Sequence, residues 1–301
     1  MSNDNDIYFL NFNDDISFLK KYLDDNTISD IMVNSDGNIF IKIRGNRMFA
    51  EKLSNNTKVR QTIFSLATLQ NIIIDKQLPI LETVIPNTKY RVEALLPPIT
   101  DGPVLIIRKP TTTLLRLENY LKDKRMTEAQ YNDIIDIIKN KYNILVAGGT
   151  GSGKTTFVNT LLHELSYIDP ECRLFIVEDT PELNIVNKDY VSVVTLPENS
   201  INMLRVALRS NPDRIIFGEL RHGDVAVELL KAFNSGHPGG ITTIHANTNT
   251  CDGVLYRLYS LISEVNNNIT IDDIKTYIDV AITIDVKKNF GPFISNIFHF
   301  N

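Results

Sequence analysis

The sequence has only two cysteines, Cys172 and Cys251, far apart and in unlike contexts. Two thiols cannot build a four-thiolate zinc site, and in a cytosolic chain both are expected to stay reduced. Basic residues are also in deficit: 31 Lys and Arg face 36 Asp and Glu, a net charge of −5. That balance excludes a protein whose whole surface clings to nucleic acid or anionic lipid, while leaving room for a local basic groove. No run of about 18 apolar residues occurs, so no membrane span is expected. The first 25 residues are rich in Asp and Asn, and the basic region and apolar segment of a secretory leader are not found there. Histidine is scarce too, with five in the chain.

What is present is a globular composition. The chain has 301 residues, 43% apolar and 22% charged, enough for two ordinary domains with a sizeable core. The first third reads as an α+β module. Phe18, Leu19, Tyr22 and Leu23 have helical spacing, and Ile39, Ile41 and Ile43 alternate as in a strand. Further strand-like runs are Ile31–Val33, Tyr90–Leu95 and Val104–Arg108, with Pro97-Pro98 and Asp101-Gly102-Pro103 reading as a loop. A boundary is expected near residues 110–122: an N-terminal α+β domain over 1–112, a linker over 113–125 and a second domain over 126–301. The second domain opens with a capping box, Thr127-x-x-Gln130, ahead of the stripe Tyr131, Ile134, Ile135, Ile138. Strands and helices then alternate, which predicts a mostly parallel α/β sheet.

Within that sheet the strand-like run Asn143–Ala147 leads into Gly148-Gly149-Thr150-Gly151-Ser152-Gly153-Lys154-Thr155-Thr156. This matches G-x-x-x-x-G-K-[ST], a phosphate-binding P-loop. Glycines let backbone amides curl around phosphate oxygens, Lys154 can reach the β- and γ-phosphates, and the Thr155 hydroxyl can bind Mg²⁺. An amphipathic helix carrying Phe157, Leu161, Leu162 and Leu165 follows, with its N-terminus at the phosphates. Three more strands are expected to end near the same place. Arg173–Val177 ends in Glu178-Asp179-Thr180-Pro181-Glu182, Arg214–Phe217 in Gly218-Glu219, and Ile241–Ile244 in His245. Ligands in open parallel sheets sit beyond the carboxyl ends of the strands, so these residues are expected around one triphosphate. Glu219 is suited to orienting or deprotonating an attacking water. Gly218 stands where many P-loop ATPases carry a Mg²⁺-holding Asp, so the metal must rely on Thr155, phosphate oxygens and water, with or without a carboxylate acting through water. His237, in Gly236-His237-Pro238-Gly239, either joins this site or orders a turn.

Together these segments resemble the secretion and pilus-assembly traffic ATPases, hexameric motors of the RecA-like class. Gly148–Thr155 is similar to their Walker A, Phe175–Leu183 (FIVEDTPEL) to their Asp box, Asn211–Arg221 (NPDRIIFGELR) to their Walker B and Gly236–Asn247 (GHPGGITTIHAN) to their His box. The resemblance extends into the first domain through Tyr90–Pro98 and Leu105–Pro110. It looks most like the conjugative, type IV secretion branch, TrbB-type, with pilus retraction motors the nearest alternative and type II secretion ATPases the other. Two mild departures are Ser235, where Thr is frequent, and His222, where Gly is common.

The resemblance implies a RecA-like P-loop domain that hydrolyses ATP with Mg²⁺ in a homo-hexamer on the cytoplasmic face of the inner membrane, serving secretion or conjugation machinery. It implies catalytic roles for Lys154, Glu178, Glu219 and His245, with Arg91 and Arg108 supplying positive charge from the first domain. Nucleotide contacts are expected from Gly148, Gly149, Thr150, Gly151, Ser152, Gly153, Lys154, Thr155 and Thr156, joined by Glu182, Arg209, Arg221 and His237. Nucleic acid is not expected as a direct sequence-specific ligand; a nucleic-acid translocase and a nucleotide-gated scaffold are the competing classes.

Overall fold

The computed structural model describes residues 2–43, 46–110, 115–195, 197–266, 268–287 and 290–300. The chain divides into two compact units, Met1–Thr112 and Thr113–Asn301.

The first unit begins with helix α1 (Ser2–Ile16) and the short α2 (Lys20–Leu23), followed by strands β1 (Ile28–Val33), β2 (Asn38–Ile43) and β3 (Asn46–Lys52). Helix α3 (Thr57–Leu69) and strands β4 (Ile80–Val84), β5 (Arg91–Leu95) and β6 (Val104–Arg108) complete it. The strands form one antiparallel sheet in the order β3-β2-β1-β6-β5-β4. Alternate residues such as Ile31, Val33, Val92, Ala94, Leu105 and Ile107 point into one core with Phe12 of α1 and Ile63 and Leu66 of α3. The helical spacing expected at Phe18–Leu23 resolves into a 3₁₀ turn and α2. The longer α1 was not foreseen, because its Asp- and Asn-rich sequence hides a stripe as narrow as Phe12 and Ile16.

The second unit contains helices α4 (Leu117–Lys122), α5 (Glu128–Lys139), α6 (Lys154–Ile168), α7 (Ser200–Arg209), α8 (Gly223–Phe233), α9 (Cys251–Ser263) and α10 (Ile271–Tyr277). Its strands are β7 (Ile144–Gly148), β8 (Leu174–Glu178), β9 (Tyr190–Val194), β10 (Arg214–Leu220), β11 (Ile241–His245), β12 (Val280–Lys287) and β13 (Gly291–His299). They pair in the order β13-β12-β7-β11-β10-β8-β9, all parallel except for the terminal β12–β13 hairpin. Both faces are covered, which is why the central strands read as continuous apolar runs. Ile144, Val146, Leu174 and Ile176 pack toward α4, α5 and α6, whereas Leu145, Ala147, Phe175 and Val177 pack toward α7, α8 and α9.

The capping box forms as expected, with the Gln130 amide donating to Thr127 Oγ1 at 3.2 Å and the Thr127 amide to Gln130 Oε1 at 2.9 Å. The stretch expected as linker, 113–125, contains α4. Its Leu117 and Tyr120 are buried in the second unit's core, and Glu164 of α6 accepts the Leu117 amide at 3.1 Å. The described part of that stretch is therefore the first layer of the second unit. Among the described residues, no helix is long and apolar enough to cross a membrane.

Candidate active site

The P-loop runs from the end of β7 into α6. Gly151 and Gly153 have φ of +70° and +91°, where a side chain would strain the backbone. A Cβ on Gly148 would lie 2.5 Å from Ser152 Oγ and 2.6 Å from the Ile284 carbonyl, and one on Gly153 would lie 2.9 Å from Pro292 of β13. These contacts shape a loop whose amides are available at the start of a 15-residue helix, a ready site for anionic oxygens. Ser152 Oγ is buried and has no partner. Lys154, 9% exposed, folds back to donate to the carbonyls of Gly148 and Gly149, both at 3.0 Å. Burial lowers its pKa, with Glu219 opposing that shift. A buried ammonium bonded to two neutral carbonyls is well placed to exchange them for phosphate, whose charge-assisted bonds are stronger.

His245 closes β11 directly opposite Gly148 in the parallel register, and its Nδ1 lies 3.4 Å from Thr150 Oγ1. The imidazole therefore sits at the P-loop, as the sequence predicts. The next peptide also touches the loop, the Ala246 amide donating to the Gly148 carbonyl at 3.1 Å.

Glu219 is on the next strand over, and its placement depends on a defect. Between Phe217 and Leu220, β10 uses three steps where β11 uses two, from Thr242 to Ile244. The extra residue makes a bulge, a device that re-aims side chains beside active sites. Thr243 Oγ1, buried, pins the bulge by donating to the Gly218 carbonyl at 2.8 Å. Arg221 then ties the acidic groups together, its Nε donating to Glu219 Oε2 at 2.8 Å and its Nη1 lying 2.7 Å from Asp179 Oδ2. Glu219 raises the pKa of Lys154 and Arg221 lowers it, so all three share one electrostatic neighbourhood. Glu182 contributes to the same field.

Glu178 ends β8 beside Gly218, a Cβ on which would lie 3.5 Å from Glu178 Cγ. Glu178 is 4% exposed, and its Oε1 accepts the amides of Glu182 and Leu183, each at 2.8 Å. The geometry makes it the organiser of the Asp-box loop, since a buried carboxylate must be hydrogen-bonded. His237 precedes β11, so it stands at the amino end of the sheet, across the strand from the P-loop. Its Nδ1 is buried without a partner. Arg209 ends α7 at that same end and is exposed. Neither is brought to Lys154. Arg91 and Arg108 are directly opposite each other on β5 and β6, and Arg108 lies 3.9 Å from Asp30 on β1.

Two groups at the site were not nominated from sequence. Asn247 Oδ1 lies 3.4 Å from where a Cβ on Gly149 would be. Arg257 of α9 donates through Nε to the His245 carbonyl at 3.2 Å. Asn247 ends the motif already quoted, so it was within reach. Arg257 lies twelve residues beyond His245, and no local pattern marks it.

Comparison with known proteins places this arrangement. The Type II/IV secretion system protein family matches over residues 13–283. The conjugal transfer protein TrbB of Rhizobium radiobacter is 38% identical over 280 residues, covering 92% of this chain and 85% of that one. The type IV secretion system protein VirB11 of Bartonella henselae is 30% identical over 264 residues, covering 73% of each. The crystal structure of the Legionella pneumophila ATPase DotB superposes with a TM-score of 0.69 at 22% identity, over 95% of this chain and 80% of that one; this likeness concerns the fold. A single match running through both units, together with relatives similar over most of their own length, leads to one assignment: the chain belongs to the Type II/IV secretion system protein family.

Proposed function

We propose that the protein is a P-loop ATPase that hydrolyses ATP to ADP and phosphate and drives conjugative transfer through nucleotide-dependent domain motion. The observation that carries the catalytic part is the convergence of Lys154, His245 and the bulge-borne Glu219 at the carboxyl edge of three adjacent strands, β7, β11 and β10. The conjugal transfer relative, similar along 92% of this chain, supports the biological setting.

In this reading the P-loop amides and Lys154 hold the β- and γ-phosphates, and the unpartnered Ser152 hydroxyl supplies a further donor. Mg²⁺, held by the Thr155 hydroxyl, phosphate oxygens and water, would neutralise charge on the transferring phosphoryl group. Glu219, released from Arg221, orients and deprotonates the attacking water. His245 contacts the γ-phosphate and registers its loss. Arg91 and Arg108 act as charge-stabilising groups from the first unit; the family resemblance supports them. A homo-hexamer bound peripherally to inner-membrane conjugation proteins belongs to the same proposal, and native mass with and without ATP tests its assembly.

Removing a general base costs about 10²–10⁴-fold in rate. Glu219→Gln is therefore expected to lower ATP turnover by that factor while ATP binding stays within about twofold. Turnover by the variant equal to wild type would remove Glu219 from catalysis. Complete absence of turnover in the wild-type protein, at every nucleotide tested, would favour the nucleotide-gated scaffold instead.

A further inference from the structure

We propose that Arg257 is a positioning residue for His245 and that, through it, helix α9 registers the state of the P-loop. This inference rests on the proposed nucleotide reading. The contacts form an unbroken line. Lys154 Nζ donates to the Gly148 carbonyl at 3.0 Å, and that carbonyl also accepts the Ala246 amide at 3.1 Å. The Ala246 amide and the His245 carbonyl belong to the same peptide plane, and peptide planes are rigid. The carbonyl end of that plane accepts Arg257 Nε at 3.2 Å. One flat group is thus held at one end by the P-loop and at the other by α9.

The chemistry gives the line a direction. In the state described, the Gly148 carbonyl is shared between an ammonium and an amide. When phosphate draws Lys154 away, the Ala246 amide becomes the main donor to Gly148, and the plane re-seats. Its far end is fixed to a cationic donor, and charge-assisted bonds of this kind are the strong ones. Arg257 is half-buried.

Helix α9 is built to pass on such a shift. Its Val254, Leu255, Leu258, Leu261 and Ile262 are buried in the core beneath the sheet. It meets the start of α8 so closely that a Cβ on Gly223 would lie 2.1 Å from the Leu261 carbonyl. Gly223 comes two residues after Arg221, which holds Glu219. Ahead of α9, Asn249 Nδ2 donates to Asp285 of β12 at 2.8 Å. The helix therefore packs on the start of α8, which follows β10, and is preceded by a loop bonded to β12, and Arg257 is its side-chain link to the strand that carries His245.

The test uses the full chain as Arg257→Ala and Arg257→Lys, with hydrogen exchange of α9 measured with and without ATP alongside ATP affinity, KM and kcat. In the wild type, ATP is expected to change exchange in α9. In Arg257→Ala that response should vanish and kcat fall about tenfold, the scale of losing one charged hydrogen bond, while ATP affinity and KM stay within about twofold. Arg257→Lys should restore part of both, because it keeps a cationic donor. If Arg257→Ala does not fold, Arg257→Lys carries the test, with a weakened α9 response as the expected result. An unchanged α9 response in the folded variant, or a loss of ATP affinity matching that of a Lys154 variant, overturns the proposal. If the wild-type protein binds no ATP, the nucleotide reading itself fails, and that failure shows before any Arg257 variant is made.

Discussion

The two ends of the seven-stranded sheet make an instructive contrast. At the carboxyl end stand Lys154, bonded to the Gly148 carbonyl, His245, beside Thr150, and Glu219, held by Arg221. At the amino end stand His237, Arg209 and the fully buried Arg214, whose Nη2 donates to the Ile138 carbonyl at 2.9 Å. Both ends hold a histidine and at least one arginine from the same quoted motifs, yet their work differs. A Cβ on Gly239, which has φ of +81°, would meet Arg214 at 2.5 Å, so the amino end is a packed joint. The Ile138 carbonyl takes one Arg214 nitrogen there, while Arg214 Nε and His237 Nδ1 are enclosed by packing without a hydrogen-bond partner. The carboxyl end keeps an ammonium, a buried hydroxyl and an imidazole ready for an incoming anion. Membership of one motif does not decide placement, because β11 at about 3.3 Å per residue carries the chain roughly 16 Å from one end to the other.

Substitutions can break or sharpen this contrast. The largest effect on binding is expected at Lys154. Lys154→Ala should weaken ATP affinity about 10- to 100-fold, the worth of charged hydrogen bonds to phosphate, as read by titration of a fluorescent nucleotide. Affinity within twofold of wild type would move the binding site elsewhere. Next comes the bulge. Thr243→Val keeps the side-chain volume but removes the donor to Gly218, and kcat should fall about tenfold with KM nearly unchanged, since only the aim of Glu219 is disturbed. A kcat equal to wild type would show that the bulge holds itself. The smallest effect is expected at the amino end: His237→Ala should leave ATP affinity within about twofold, measured by the same titration. A drop as large as that of Lys154→Ala would erase the distinction between the two ends.

The same contrast shows what could be read locally. The P-loop, the flanking strand and helix, and the strand that ends in His245 were legible, because each is a contiguous pattern with its own backbone chemistry. The Thr127–Gln130 capping box was legible for the same reason. The sequence ends the third strand at Phe217, whereas β10 runs on to Leu220 and includes Glu219, and its bulge is a mismatch between two strands that no single segment displays. Glu178 was assigned to catalysis because it stands where a strand meets a loop. The loop also turns back on it and delivers two amides to one oxygen, a contact the sequence pattern does not display. Helix α4 was assigned to a linker because six residues, Leu117–Lys122, carry too little periodicity to show; burial of Leu117 and Tyr120 decides where it belongs.

What the amino-acid sequence determined alone is the inventory at the phosphate site: glycines where φ must be positive, a lysine and threonines at the head of a helix, and strands apolar on both faces. Those properties are carried by neighbours in the chain, within the reach of one turn or one strand. Tertiary structure decided which groups face one another. Two histidines of one motif end up at opposite edges of a sheet, a bulge turns Glu219, and an arginine of α9 grips the carbonyl beside Gly148. These outcomes depend on register and packing between distant segments, and register is a relation between strands that neither strand contains.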